Sequence, residues 1–387
     1  MYCEEENFKE WKGNMELDMA STTNTNSSLL NNSSINEADK TEIETKSELM
    51  PAVYYARKIT PHLDPSIFKP YTRRILLGVS YLMVAAASLF VIVATDFWAV
   101  KLAASLVAGL CFGAFGFFAH EVLHGSVVRG KALQDLLGFF AFTPWFISPT
   151  FWRYWHNHLH HGNTQALITD PDAFPTLRLF KHSKFMKFMF PFTPGSGHKR
   201  SMSYFFFWFS FHVLVAQNYL RFRNDVYEKL NHKKVTLEML GQVAIWGGLL
   251  FALGPENLIW TFAIPFLAQN YFVMSYIATN HNLSPLTKVN DPLVNSLTVT
   301  NWKWLEPLHL NFGYHVEHHL MPNVNGAHAK KIHSVLKEQF ADKFIYMPKW
   351  KAMSMLYNTS RIYKNSNTLV NPESGETFET LRPRQLH

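Results

Sequence analysis

The sequence predicts an all-α integral membrane protein: two transmembrane helical hairpins, four spans in all, with in-plane helices and a histidine-rich cap on the cytoplasmic side. Three observations predict it. Of 387 residues 48% are hydrophobic, with 33 Phe and 11 Trp, and the apolar residues are gathered into long runs. Positive charge flanks those runs on one side, and histidines cluster at their ends. A mean hydropathy of -0.07 only averages polar ends with apolar middles.

The first 50 residues open on MYCEEENFKEW, acidic and without the apolar core of a signal peptide, and continue through a stretch rich in Ser, Thr, Asn and acids. They read as a disordered polar tail. A membrane domain with the histidine boxes is expected over 51–345 and a C-terminal tail over 346–387, weakly structured from Asn365 onward. Pro51, Pro61, Pro65 and Pro70 break the lead-in to Arg73 and Arg74, which reads as interfacial.

Ile75 to Thr95 is long enough to cross a roughly 30 Å hydrocarbon layer. A turn at Asp96 to Trp98 leads into a second run ending at Ala119, in which Ser105, Gly109 and Gly113 recur every fourth residue and suit close helix packing. Leu133 to Ser148 is too short to span and reads as a half-helix. Leu177 to Arg200 mixes Lys with Phe and Met and reads as lying on the headgroup surface.

Val235 to Leu253 and Leu258 to Ala278 form a second hairpin across Gly254 to Asn257. A hairpin returns the chain to its starting side, so Tyr204 to Leu220, although apolar, is expected to lie in the membrane plane. The outer turns then carry Asp96 and Glu256 while most Lys and Arg fall inside, with Lys101 snorkelling outward. Asn325 to Phe340 reads as an amphipathic helix.

The formal charge of +7 is assigned on this pattern to a cytoplasmic membrane face rather than to nucleic acid. Cys3 and Cys111 are the two cysteines, too few for a disulfide framework or an iron–sulfur cluster.

The chemistry is concentrated in histidines. NFGYHVEHHLMP, from Asn311 to Pro322, holds His315, His318 and His319, at the i, i+3 and i+4 spacing that shares a helix face. HEVLH places His120 and His124 at the end of an apolar run, HNHLHH supplies His156, His160 and His161, and His281 follows another run in TNHNL. Nine such rings exceed the three or so protein ligands of one catalytic zinc, so two metals are implied. Imidazole alone leaves iron, copper, nickel and zinc open.

HxxxH, HxxxHH and HxxHH in this order resemble the three histidine boxes of the membrane fatty-acid desaturase and hydroxylase superfamily, over roughly Ala119 to Pro322. The resemblance implies two non-haem irons, molecular oxygen as co-substrate, His281 as an additional ligand, and a double bond introduced into a long acyl chain on a lipid or thioester. Candidate groups orienting the ligands are Glu121, Glu317, Asp170, Asp172 and Asn311, with Asn280 and Asn282 as alternatives to Asn311. His62, His158, His182, His198, His212, His232, His328, His333 and His387 are read as structural or surface residues, and His309 is left open.

The sequence carries neither a cytochrome b5-like HPGG nor a flavin or nicotinamide loop, so electrons are expected from a separate ferredoxin or cytochrome b5 type donor. Both termini and all the boxes are expected on the cytoplasmic side of a plasma membrane in a bacterium, or of the endoplasmic reticulum in a eukaryote. A carotenoid ketolase or hydroxylase and a lipid hydroxylase are rival readings on the same ligands. HEVLH also matches HExxH, the motif of a zinc protease with Glu121 as base.

Overall fold

A computed structural model describes residues 49–167 and 169–381. The expected polar tail lies outside these apart from its last two residues, as do Cys3 and His387. The chain runs through α1 (Ala52–Ile59), α2 (Arg74–Ala94), α3 (Trp98–Leu123), α4 (Lys131–Ala141), a π-helix (Arg153–His160), α5 (Tyr204–Asn218), α6 (His232–Ala252) and α7 (Ile264–His281). It continues through β1 (Thr298–Thr300), α8 (His315–Leu320), α9 (Ala329–Gln339), β2 (Tyr346–Pro348) and α10 (Lys349–Asn358) to a small antiparallel sheet of β3 (Ile362–Tyr363), β4 (Thr368–Val370) and β5 (Thr377–Glu379).

Among the described residues three helices, α2, α3 and α6, are long and apolar enough to cross a membrane; their 21, 26 and 21 residues make each at least about 31 Å long. This is a membrane protein. The fourth expected span is not of this kind. Its apolar stretch is divided between a π-helical turn at Ile259–Ala263 and α7, and α7 is buried against α3 and α5 with Gln269 and Asn270 inside.

The two expected outer turns meet, since Lys101 Nζ donates to Asn257 Oδ1 (3.1 Å) and lies 3.9 Å from Asp96 Oδ1. α5, with 15 residues, is about 22 Å long, short of a roughly 30 Å layer, and packs along α7.

Helix α3 is the spine, packed by α2, α4 and α7. Its small residues make the close approach to α7: a Cβ on Gly109 would lie 2.6 Å from Ala268 Cβ, and one on Gly113 would lie 2.5 Å from Phe272 Cδ1. Buried Arg74 on α2 reaches Glu121 on α3 through Nε and Nη2 (2.7 and 3.0 Å), and Nη2 also donates to the Leu310 carbonyl. That ties the membrane hairpin to the third-box loop.

α1 and α9 bury Tyr55, Ile59, Ile332 and Leu336 against Val316 and Leu320 of α8. The segment from Asn365 onward, expected to be weakly structured, carries β4 and β5 among the described residues. Residues 346–381 are built into the fold, where buried Arg361 donates to the carbonyls of Asn282, Leu356 and Thr359.

Candidate metal centre

Four chain segments bring the nine histidines together. Their ring nitrogens form two groups, His120, His124, His156, His161 and His318 in one and His160, His281, His315 and His319 in the other. The first box supplies one group alone, whereas the second and third boxes divide their rings between both.

The division follows from local geometry. On α3 the i, i+4 pair His120 and His124 shares a face. The second box lies on a π-helix, whose turn closes at i+5, so His156 and His161 face one group and His160 the other. On α8, His315 and His319 share a face and His318 turns to the opposite group.

Nearly all of these rings are buried. Burial, reinforced by neighbouring rings, holds His124, His156, His161, His315, His318 and His319 well below the usual histidine value. They are therefore neutral at physiological pH, the form that binds metal. His160 differs: burial lowers it, but the charge and hydrogen bond of Asp170 outweigh burial and raise it. With Nδ1–H donating to Asp170 Oδ1 (2.9 Å), the Nε2 lone pair is left for a ligand role.

The residues fit metal ions. Nε2 atoms face one another at 2.7 Å (His315 and His281), 3.1 Å (His319 and His315), 3.0 Å (His318 and His161) and 3.2 Å (His161 and His156). Two lone pairs at such distances repel, whereas nitrogens bound about 2.1 Å from a shared cation stand roughly 3 Å apart. Both nitrogens of His120, Nε2 of His124 and Nδ1 of His156 and His315 are buried without a hydrogen-bond partner.

The other candidates fall in different places. Asp170 holds His160, and Asp172 lies 3.5 Å from the same Nδ1 and 3.7 Å from His212 Nδ1. Glu121 is engaged by Arg74, Asn325 Nδ2 and the Gly326 amide, so it is not placed as the free base that the zinc-protease reading asks of it. Glu317 accepts from Thr298 Oγ1 (2.5 Å) and pairs with His333 Nδ1 (2.6 Å).

Asn311 has a left-handed φ of 57° and lines a cleft shared with His120 and His318. Asn280 is fully buried with both amide atoms unpartnered, and Asn282 Nδ2 is likewise unpartnered. Two contacts are absent from the sequence reading: Thr164 Oγ1 lies 3.2 Å from His319 Nδ1, and the Asn295 carbonyl 3.4 Å from His281 Nδ1. Thr164 lies three residues after the second box, a signal available in the sequence, whereas Asn295 depends on the chain path after α7.

A narrow apolar pocket touches both groups. His120 and His156 of the first and His160, His281 and His315 of the second line it, beside Gly116, Phe117, Trp152, Phe209 and Phe312. It shares Asp172, Phe209 and Ile277 with a wider cavity of about 500 Å³ between α5 and the 171–193 segment. That volume is in the usual range for small-molecule sites.

Fold and site together define a helical membrane protein with two polyhistidine groups that could hold metal ions beside an apolar pocket. The family profile described as Fatty acid desaturase matches residues 96–350, and the chain belongs to that family.

Similar proteins include the chloroplastic omega-6 fatty acid desaturase of Arabidopsis thaliana, 21% identical over 70% of this chain and 60% of the relative. The sn-1 oleoyl-lipid 12-desaturase of Picosynechococcus sp. is 21% identical over 77% of this chain and 85% of that protein. The sn-1 linoleoyl-lipid 6-desaturase of Synechocystis sp. is 24% identical over 77% and 89%. The match thus spans under two thirds of the plant relative's length.

Proposed function

We propose that the protein is an oxygen-dependent acyl desaturase acting on a long chain carried by a membrane lipid, with nine histidines holding two irons. The observation that carries this reading is the narrow apolar pocket lined by rings of both groups and sharing wall residues with the wider cavity. Relatives named for lipid-linked oleoyl and linoleoyl chains favour a lipid over a thioester.

His120, His124, His156, His161 and His318 would hold one iron, and His160, His281, His315 and His319 the other. When bound, the irons supply the oxidising power to remove hydrogen from an unactivated methylene, with oxygen and two external electrons as co-reactants. The balanced reaction consumes O2, two electrons and two protons, converts CH2–CH2 to CH=CH, and releases two waters.

The chain's own residues position and exclude. Phe117, Trp152, Phe209 and Phe312 wall the slot and keep water from the reacting carbons. A slot this narrow restrains rotation of the acyl chain, presents two adjacent methylenes to the same site and favours loss of a second hydrogen over return of a hydroxyl. Asp170, Thr164 and the Asn295 carbonyl orient the rings of His160, His319 and His281.

In the membrane, α7 acts as the fourth span and α5 lies in the plane, with the boxes and both termini on the cytoplasmic side. There a separate ferredoxin or cytochrome b5 type donor delivers electrons. Single cysteines at Asp96, Asn224 and Glu256 in a cysteine-free chain test this. Outside labelling at 96 and 256 alone is expected, and labelling at 224 would overturn it.

The reaction is tested by expression, with a working electron donor, in a host with saturated lipids and in one making β-carotene. Mass spectrometry should find new unsaturated acyl chains. New ketocarotenoids with an unchanged fatty-acid profile would overturn the reading.

A further inference from the structure

Strands β1 and β2 pair in parallel with Thr300 opposite Pro348, so the residues that follow both strands leave the same end of the sheet. Those residues are Asn301-Trp302-Lys303-Trp304 and Lys349-Trp350-Lys351. Two segments remote in sequence thus place three tryptophans and flanking lysines side by side.

The tryptophans are not packed inward. Trp302, Trp304 and Trp350 are 71%, 63% and 73% exposed, and Lys303 and Lys351 are exposed with them. The side chains that precede them are nevertheless anchored. Asn301 Nδ2 donates to Tyr276 Oη (2.9 Å), which also meets His309 Nδ1 (2.5 Å), and Lys349 Nζ donates to Ser275 Oγ (2.7 Å). Glu306, the acid nearest in sequence to the first segment, is buried against Tyr314 and Lys330.

Four residues past Trp304 the chain meets the exposed apolar face of α2. Tyr81 Oη donates to the Leu308 carbonyl (2.5 Å). Tyr81 lies seven residues into α2, about 10 Å along its axis from Arg74, among the exposed side chains of Leu76, Leu82 and Met83. A segment joined to a span at that level is held below the end at which the span enters the bilayer, within reach of the boundary between headgroups and acyl chains, where amphipathic Trp rings settle. Lysines beside them meet phosphate oxygens.

We infer that the Trp302, Trp304 and Trp350 cluster, with Lys303 and Lys351, is an interfacial anchor that inserts its indoles below the phosphates of anionic membrane lipids and holds the cap against the bilayer. The inference rests on the membrane reading and not on the reaction.

The test uses the full chain in lipid nanodiscs, with Cys3 and Cys111 replaced and Trp302→Cys or Trp350→Cys labelled with an environment-sensitive fluorophore. At both positions we expect blue-shifted emission, strong quenching by lipids brominated near the headgroup and protection from aqueous iodide. Lys303→Glu with Lys351→Glu should also abolish preferential co-purification of phosphatidylglycerol over phosphatidylcholine. Iodide quenching without bromolipid quenching at either position would overturn the inference and mark a water-facing surface open to a soluble partner. Unchanged lipid preference in the double variant would overturn the role of the lysines.

Discussion

The two histidine groups differ in what stands behind the rings. In the five-ring group, His120 makes no hydrogen bond through either nitrogen, and His124 Nε2 and His156 Nδ1 are also unpartnered. In the four-ring group His160 leans on Asp170, His281 on the Asn295 carbonyl and His319 on Thr164. One group has more rings and is held by packing, for instance by Trp152 stacked on His156 at 4.5 Å. The other has fewer rings, and three of its four are held by such hydrogen bonds, His315 Nδ1 being unpartnered. Were both groups to hold a metal, as proposed, ring number and ring orientation would be alternative ways of fixing it.

Removing a ring breaks the comparison most severely. His281→Ala leaves three rings in its group, whereas His318→Ala leaves four. Both should abolish activity by more than the roughly 100-fold ceiling typical of outer contacts. Metal analysis should find about two irons per chain in the parent, a clear loss of one in His281→Ala and a smaller loss in His318→Ala. Stoichiometric zinc without iron in an active preparation would refute the assignment of the metal.

Much of this arrangement was legible in the sequence, because spacing on a helix is a local property. Nine histidines could be named from i, i+3 and i+4 recurrences and from position after apolar runs. Their partition between groups could not, since it depends on a π-turn through Arg153–His160 that the α-helical period does not reveal.

Three spans followed from hydropathy. α7 is less plain because it carries buried Gln269 and Asn270 against neighbouring helices: Asn270 Oδ1 accepts from the Ser210 amide (3.0 Å) and Gln269 Nε2 donates to the Pro144 carbonyl (3.4 Å). The sheet of β3, β4 and β5 was invisible, as strands of two or three residues show no alternation to read. Its stability comes from long-range contacts such as Tyr363 Oη to the Ser284 carbonyl (2.6 Å).

The next variant acts behind a ring. Asp170→Asn keeps the shape but removes the charge facing His160 Nδ1, and should cost about 10- to 100-fold in iron retention or turnover. Trp152→Leu, behind His156 of the packed group, serves as its counterpart. Equal losses in iron content would erase the distinction between packed and hydrogen-bonded groups.

Gly116 tests the pocket both groups share. It lies one turn before His120 on α3, and a Cβ there would meet Trp145 Nε1 at 3.2 Å. Gly116→Val should leave iron content intact, shorten the slot and shift the products toward shorter chains, by the roughly 10- to 200-fold that one or two methylenes can decide in an apolar pocket. An unchanged product profile at full iron content would place the acyl chain elsewhere.

The smallest effect is expected at Thr164, whose hydroxyl meets His319 Nδ1 at 3.2 Å and also donates to the His160 carbonyl at 2.9 Å. Valine has nearly the same shape, so Thr164→Val removes those bonds without opening a cavity. A neutral hydrogen bond contributes about 1 kcal/mol, so turnover should fall roughly five-fold, well short of the loss at Asp170. Thr164→Ser restores the hydroxyl and should recover most of the activity, which a purely steric role for the methyl group would not allow. Should Thr164→Val match Asp170→Asn in iron loss, charge would not be what distinguishes the supports within the four-ring group, and the ranking of the outer contacts would have to be redrawn from packing alone.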